Sequence, residues 1–222
     1  MCIDRAGLNA GDGPTHHGLF DVSFLSGIPG MTIYTPVTFA GLETSVRKAL
    51  ADGVPAAIRY PNGGEDELLK KTFYPDGDPT DVGLRESDPA NHAAPAAVII
   101  THGRITREAL AARERLAAED IPVGILLCEY LKPYGRLADE IASRLPAGVP
   151  LLFVEEEIRA GGFGMMLSDY LRRIGALEGR RYTILATDDS FVHQDRPEPI
   201  WHTAGVDAAA MADALRALIG NH

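Results

Sequence analysis

Met31-Thr32-Ile33-Tyr34-Thr35 ends at Pro36, and Phe39, Leu42, Val46, Ala49 and Leu50 then recur at helical spacing as far as Gly53. Ala56-Ala57-Ile58-Arg59-Tyr60 follows before Pro61. The first run is rich in β-branched and aromatic residues and is closed by proline, which predicts a strand. The middle run has the period of an amphipathic helix, and the last reads as a second short strand. Strand, helix, strand in that order is a βαβ unit with parallel strands.

Downstream, Ala97 to Thr101, Val123 to Cys128, Leu151 to Val154 and Tyr182 to Ala186 form a second series of strands. Between them lie apolar stripes at Ile105, Leu110 and Leu116, at Leu137, Ile141 and Leu145, and at Met166, Leu167, Tyr170, Leu171 and Ile174. A last helix from Asp207 carries Met211, Ala214, Leu215 and Leu218. These strands are apolar throughout, which suits a sheet covered on both faces. The two series are separated by a segment in which Gly63, Gly64, Pro75, Gly77, Pro79, Gly83 and Pro89 stand among many charges, the composition of a surface crossing. The expected organisation is two three-layer α/β domains, residues 1–75 and 96–222, joined by a linker over 76–95, with a mostly parallel sheet in the second. Upstream, Cys2-Ile3-Asp4 reads as the end of a strand whose earlier neighbours are missing. A sheet built from it and one βα unit is small to stand alone. Upstream sequence or a partner chain is therefore expected against it.

The 222 residues carry 21 basic and 31 acidic side chains, a formal charge of -10, with no basic cluster. A nucleic-acid partner is not expected. A small phosphorylated metabolite remains possible, because one or two arginines suffice to hold it. Cys2 and Cys128 are far apart and show no Cys-x-x-Cys spacing, which argues against a disulfide framework and a thiolate zinc site and fits a reducing cytoplasm. No signal peptide or membrane-spanning run is evident.

Reactive groups are densest in Asp4-Arg5-Ala6-Gly7-Leu8-Asn9-Ala10-Gly11-Asp12-Gly13-Pro14-Thr15-His16-His17-Gly18. Glycines let backbone approach a ligand, histidine moves protons near neutral pH, and arginine holds a phosphate through paired hydrogen bonds. The segment reads as an active-site loop, with a solvated Gly/Asp loop as the competing reading. A metal held by Asp12, His16 and His17 is not expected, since adjacent residues of an extended loop point in opposite directions. Glu155-Glu156-Glu157 near Gly161-Gly162-Phe163-Gly164 lacks dinucleotide spacing and repels a diphosphate, so those glycines are expected to permit close helix packing. Arg59 is expected to be a strand-end residue paired to a carboxylate, and His193, Trp201 and His202, read as a late loop, are given packing or interface roles.

Asp-Arg-Ala-Gly, Asp-Gly-x-Thr-His-x-Gly-x-Phe-Asp, Ile-Pro-Gly-Met, Tyr-Thr-Pro and Ile-Arg-Tyr-Pro resemble, in order and spacing, the pyrimidine-binding domain of the 1-deoxy-D-xylulose-5-phosphate synthases. These are thiamine-diphosphate-dependent enzymes of the transketolase type. Val154-Glu155-Glu156, Gly161-Gly162-Phe163-Gly164 and Ala204-Gly205-Val206-Asp207 are similar, less specifically, to the C-terminal domain of that family. The resemblance implies a truncated pyrimidine-binding domain followed by a transketolase C-terminal domain. It places Arg5 at a phosphate-binding position and Asp12 and His16 beside the reacting carbons. Asn62 stands where the family has a second phosphate-gripping arginine. The family condenses pyruvate with glyceraldehyde 3-phosphate, with loss of carbon dioxide, and the carbanion chemistry is the cofactor's. Its residues for the diphosphate and Mg²⁺ lie in an N-terminal region that this sequence lacks. No cofactor or metal is therefore expected on this chain alone, and the missing region or a partner subunit is expected to complete it, in a homodimer. Two alternatives stand beside this reading: a non-catalytic assembly or ligand-sensing module, and an enzyme of the same type with another aldehyde acceptor, as Asn62 suggests.

Overall fold

The computed structural model describes residues 1–9, 11, 13–87, 94–193 and 197–220. In chain order its elements are β1 (Cys2–Ile3), α1 (Asp21–Ser26), β2 (Thr32–Tyr34), α2 (Phe39–Asp52), β3 (Ala56–Arg59), α3 (Glu67–Phe73) and β4 (Leu84–Ser87). There follow β5 (Ala97–His102), α4 (Thr106–Ala117), β6 (Val123–Cys128), β7 (Tyr130–Lys132), α5 (Tyr134–Ala142), β8 (Leu151–Ile158), α6 (Phe163–Arg173), β9 (Tyr182–Thr187), α7 (Pro197–Thr203) and α8 (Ala208–Gly220). Two sheets result, ordered β1-β3-β2-β7 and β4-β6-β5-β8-β9. All neighbours are parallel except β7 against β2 and β4 against β6.

The βαβ unit expected from residues 31–60 is present as β2, α2 and β3. Thr38 starts its helix by accepting the Gly41 N–H at 3.0 Å, satisfying one of the donors that a helix leaves open at its first turn. The second sheet is covered on both faces, as its continuous apolar strands require. Ala97 and Ile99 of β5 pack with Leu110, Met211 and Leu215 from α4 and α8, while Val98 and Ile100 face the other way. On that other face they share one core with Leu137 and Ile141 of α5, Leu167 of α6, and Ile33 and Ile58 of the first sheet. The two sheets therefore bury apolar surface in common.

The connection between them is closer than the sequence pattern indicates. After β6 the chain turns through Glu129 and enters the first sheet as β7, where Ile33 pairs with Lys132 and Tyr34 with Tyr130. Thr35 reinforces the crossing, its N–H donating to Glu129 O at 2.7 Å and its hydroxyl to Cys128 O at 2.8 Å. Glu129 itself is buried and accepts from Tyr74 at 2.5 Å, Arg85 at 2.8 Å and the Gly83 N–H at 3.1 Å. Within the 76–95 crossing, Leu84–Ser87 is a strand at the edge of the second sheet. Strands of three or four residues and helices of six or seven give too few periods for sequence to mark them, which is why α1, α3, α7, β4 and β7 had no forecast and why Trp201 and His202, expected in a loop, lie in α7. No described helix is long and apolar enough to cross a membrane.

The glycines after β8 serve packing. A Cβ on Gly164 would lie 2.8 Å from Ile184 and 3.1 Å from the Phe153 side chain, so α6 meets the sheet at a distance that only glycine permits. Gly164→Ala is expected to destabilise the chain by about 1–3 kcal/mol, the usual cost of overpacking. Urea unfolding with an unchanged m-value would check it.

A candidate active-site loop and its buried anchor

Residues 4–18 leave the end of β1 and close back on themselves. The Gly7 N–H donates to Gly18 O at 3.1 Å, and the Gly18 N–H to Gly7 O at 2.8 Å. Gly7 has φ +79°, and a Cβ there would stand 2.2 Å from the Glu156 carboxylate, so the loop presses on β8 where a side chain cannot. Arg5 adopts φ +56°, a left-handed conformation uncommon outside glycine, and its guanidinium pairs with Asp4 at 2.8 Å. His16 is exposed, with Nδ1 2.9 Å from the Thr15 hydroxyl. His17 is buried and its Nδ1 accepts the Asn9 N–H at 2.8 Å. The two histidines thus differ in burial, although residues 14–16 form a turn, closed by the His16 N–H to Gly13 O at 3.0 Å, and not the extended loop expected.

Arg5 and His16 line one cleft of ≈ 360 Å³ together with Asp4, His17, Asp21 and Phe24. Asn62 lies elsewhere. It borders a second cleft of ≈ 310 Å³ with Asp4, Thr38, Phe39 and Tyr60, and a third of ≈ 770 Å³ with Arg104, Arg107 and Trp201. Asp4 lines both of the smaller clefts that hold Arg5 and Asn62 and so stands between them. The structure therefore brings Arg5 and His16 together and sets Asn62 beyond Asp4. Asp12 falls outside the described residues.

The loop rests on a buried polar network that sequence reasoning read only in part. Arg59, at the end of β3, donates to Asp21 at 2.5 and 3.0 Å, to Glu157 at 2.5 Å and to Gly18 O at 3.1 Å. The expected carboxylate partner of Arg59 is thus two carboxylates, one from each half of the chain. Glu155, Glu156 and Glu157 are 0%, 4% and 1% exposed. Each has its own work. Glu155 caps α6, accepting the N–H groups of Phe163 at 2.6 Å and Gly164 at 2.8 Å. Glu156 accepts from Leu8 N–H at 3.2 Å and from Trp201 Nε1 at 2.7 Å, while Arg104 donates to Leu8 O. Glu157 joins Arg59, and its second oxygen is 3.3 Å from His102 Nε2. Three glutamates running on from the apolar Leu151-Leu152-Phe153-Val154 were a usable signal, since a strand extended into buried carboxylates must find cations and N–H donors. Asp21, His102 and Arg104 lie too far apart in sequence to be recognised as their companions.

Charge and burial split the glutamates. Burial alone would raise the Glu157 carboxyl, but Arg59 and then His102 outweigh it and hold it down at about 2. Glu155 is pushed well above the ordinary carboxylate range by burial and by the negative Glu157 beside it. Glu156 is raised by burial, against the pull of Arg104. Among the described residues, His102, Glu155 and Glu157 bring metal-type donor atoms within 4.8 Å of one another. Arg59 already supplies positive charge there, and both Glu155 oxygens accept helix N–H groups.

The transketolase pyrimidine-binding domain matches residues 1–64, and the transketolase C-terminal domain matches residues 90–211, more than half of the chain. The chain belongs to the transketolase family. Among curated relatives of this transketolase-family chain is the 1-deoxy-D-xylulose-5-phosphate synthase of Clostridium perfringens strain 13, 30% identical over 220 residues covering 99% of the chain. Another is that of Nitratidesulfovibrio vulgaris strain DP4, 36% identical over 230 aligned positions covering all of it. The chain spans only 34% of the length of either relative. A solved structure described as a split-gene transketolase, inactive β4 tetramer, aligns with TM-score 0.76 and 23% identity over 99% of this chain and 66% of its own. The transketolase R525L mutant of Pichia stipitis aligns with TM-score 0.74 and 17% identity over 99% of this chain and 29% of its own, so both share the fold.

The folded Glu157 carboxyl titrates at about 2, below its ordinary value of 4.5. Its contribution to stability is therefore present above about pH 4.5 and is lost as pH falls towards 2. Urea unfolding of the wild type and Glu157→Gln from pH 6 to pH 2 is expected to show a stability gap at pH 6 that narrows steadily below pH 4.5.

Proposed function

We propose that this chain is the acceptor-side portion of a 1-deoxy-D-xylulose-5-phosphate synthase, which condenses pyruvate with glyceraldehyde 3-phosphate and releases carbon dioxide. The observation that carries the reading is the shared cleft of Arg5 and His16. One side chain there suits a phosphate dianion and the other suits protonation of the alkoxide formed at an aldehyde carbon. Asp12 is assigned to the same group from its place in the loop. The printed names of the curated relatives support the reaction class, and the length they have beyond this chain supports a further region or subunit that completes the site.

The residues present do not fit the cofactor. The cleft that holds Arg5 offers a single arginine, which the acceptor phosphate takes, and in both clefts at Asn62 carboxylates outnumber arginines, so among the described residues no second cationic cradle is left for a diphosphate. Thiamine diphosphate and Mg²⁺ are accordingly assigned to the remainder of the enzyme, and this chain alone is inactive. Its own part is to bind the phosphate end of the acceptor through Arg5, to hold a transferable proton at His16, and to keep both in register through the anchor on β8. A cytoplasmic setting and a homodimeric assembly belong to the same proposal. The split-gene neighbour makes a separately encoded partner a concrete form for the missing region.

A second reading draws on Asn62, which offers an amide where the family resemblance places a second phosphate-gripping arginine: the acceptor aldehyde is unphosphorylated. Mixing the chain with a polypeptide that carries the remaining two-thirds of a curated relative decides between them. Restored decarboxylation of pyruvate is expected, with preference for glyceraldehyde 3-phosphate over unphosphorylated glyceraldehyde. Equal use of both aldehydes favours the second reading, and no activity with any such partner leaves a non-catalytic module. In the restored enzyme, Arg5→Ala is expected to raise KM for the phosphorylated aldehyde roughly 10- to 100-fold, the loss of one charge-assisted contact. His16→Ala is expected to lower kcat roughly 10²- to 10⁴-fold with Tm unchanged, because the exposed ring has little packing to lose.

A further inference from the structure

Asn9 is a buried amide with no place in the chemistry, and three backbone carbonyls surround its nitrogen. Nδ2 lies 2.8 Å from Arg5 O, 3.2 Å from Gly7 O and 3.2 Å from His16 O. The residue is 4% exposed, so water does not compete for these bonds. Its own N–H donates to His17 Nδ1, which holds the ring next to His16. On the chain's preceding residue, Leu8 is gripped at both backbone atoms, its N–H by Glu156 and its carbonyl by Arg104.

We propose that Asn9 is a positioning residue that fixes the spacing of Arg5 and His16 by tying the carbonyls of both to one amide group. This rests on the reading of Arg5 and His16 as acceptor-side residues. The chemistry is specific to a donor. Three acceptors converge on one point, which decides the orientation of the amide, because a flipped side chain would set its oxygen against three other oxygens. Two N–H groups are shared among those three carbonyls, and no apolar side chain of similar size can replace them. The Arg5 bond has a further consequence. Arg5 holds a left-handed backbone at φ +56°, a conformation that a non-glycine residue keeps only when its surroundings impose it. The bond from Asn9 to Arg5 O supplies that constraint, and the direction in which the guanidinium leaves the backbone depends on it. Because Leu8 is locked to Glu156 on β8 and to Arg104 between β5 and α4, Asn9 also refers both side chains to the second half of the molecule. That gives the C-terminal half a part in the site through the backbone of the loop.

The test uses the 222-residue chain, with inorganic phosphate as the probe. Asn9→Leu keeps the bulk and removes the donor, Asn9→Asp keeps the shape and replaces the donor with an acceptor, and Asn9→Ser restores one donor. Amide hydrogen exchange at Gly7, His16 and Gly18 reports on the loop, and the phosphate-induced shift of the Arg5 Nε–H resonance reports on the position of its guanidinium. Exchange at those amides is expected to rise by roughly tenfold or more in the Leu and Asp variants, with exchange in the β5 and β6 amides unchanged. Phosphate binding at Arg5 is expected to weaken by a similar factor, roughly the loss of one buried hydrogen bond, and the Ser variant should fall between. Unchanged loop exchange overturns the proposal. Faster exchange with phosphate affinity intact also overturns it, since Asn9 would then only stiffen the loop. If Arg5→Ala leaves phosphate binding unaltered, the assignment of Arg5 fails instead, and the positioning role is judged on loop exchange alone. Should Asn9→Leu fail to fold, the Asp and Ser variants carry the same comparison.

Discussion

The guanidinium of Arg59 is the constraint around which the molecule is arranged. It lies 2% exposed at the end of a strand of the first sheet, and its neutralising partners are Asp21 at the start of α1 and Glu157 on β8 of the second. A charge so placed cannot be left unpaired, since removing one partner from a buried pair typically costs about 3–5 kcal/mol. The two halves of the chain are therefore held to one relative placement by electrostatics as well as by their shared apolar core. The same guanidinium reaches Gly18 O and so fixes the far end of the loop that carries Arg5 and His16. Fold and candidate site are joined at a single side chain.

Much of the architecture was legible in sequence because it depends on long periodic segments. The βαβ unit at 31–60 and the apolar strands of the second sheet carry enough residues for their period to show. The crossing of β7 into the first sheet was not legible, since three residues fix no period and the choice of partner sheet is a tertiary matter. The pairing of Arg59 with a carboxylate followed from the general habit of buried charges. Which carboxylates, and that Asp21 and Glu157 come from opposite halves, needed coordinates.

The candidate site divides in the same way. Arg5 and His16 were found by residue type and by likeness to a family, and both line one cleft. Asn62 came from the same likeness, yet it borders different clefts, on the other side of Asp4. The supporting residues escaped notice because support is a matter of contact. Asn9 looks like loop composition, and Trp201 looks like core, until the first is seen among three carbonyls and the second is seen donating to Glu156. The run of three glutamates was read only as repelling a diphosphate. Burial reverses that reading, because each carboxylate has its own donor.

The strand that crosses between sheets also bears on how the molecule is made. Ile33 must wait for Lys132, about a hundred residues later, before the first sheet has its fourth strand. During synthesis from the N-terminus, the segment that carries the candidate loop emerges before the second half and remains incomplete until most of that half has left the ribosome. Pairings of such long range close late, after the local helices and the neighbouring strands of the second sheet have formed. The portion of the chain with the candidate site is thus the portion that matures last, on a template supplied by the other.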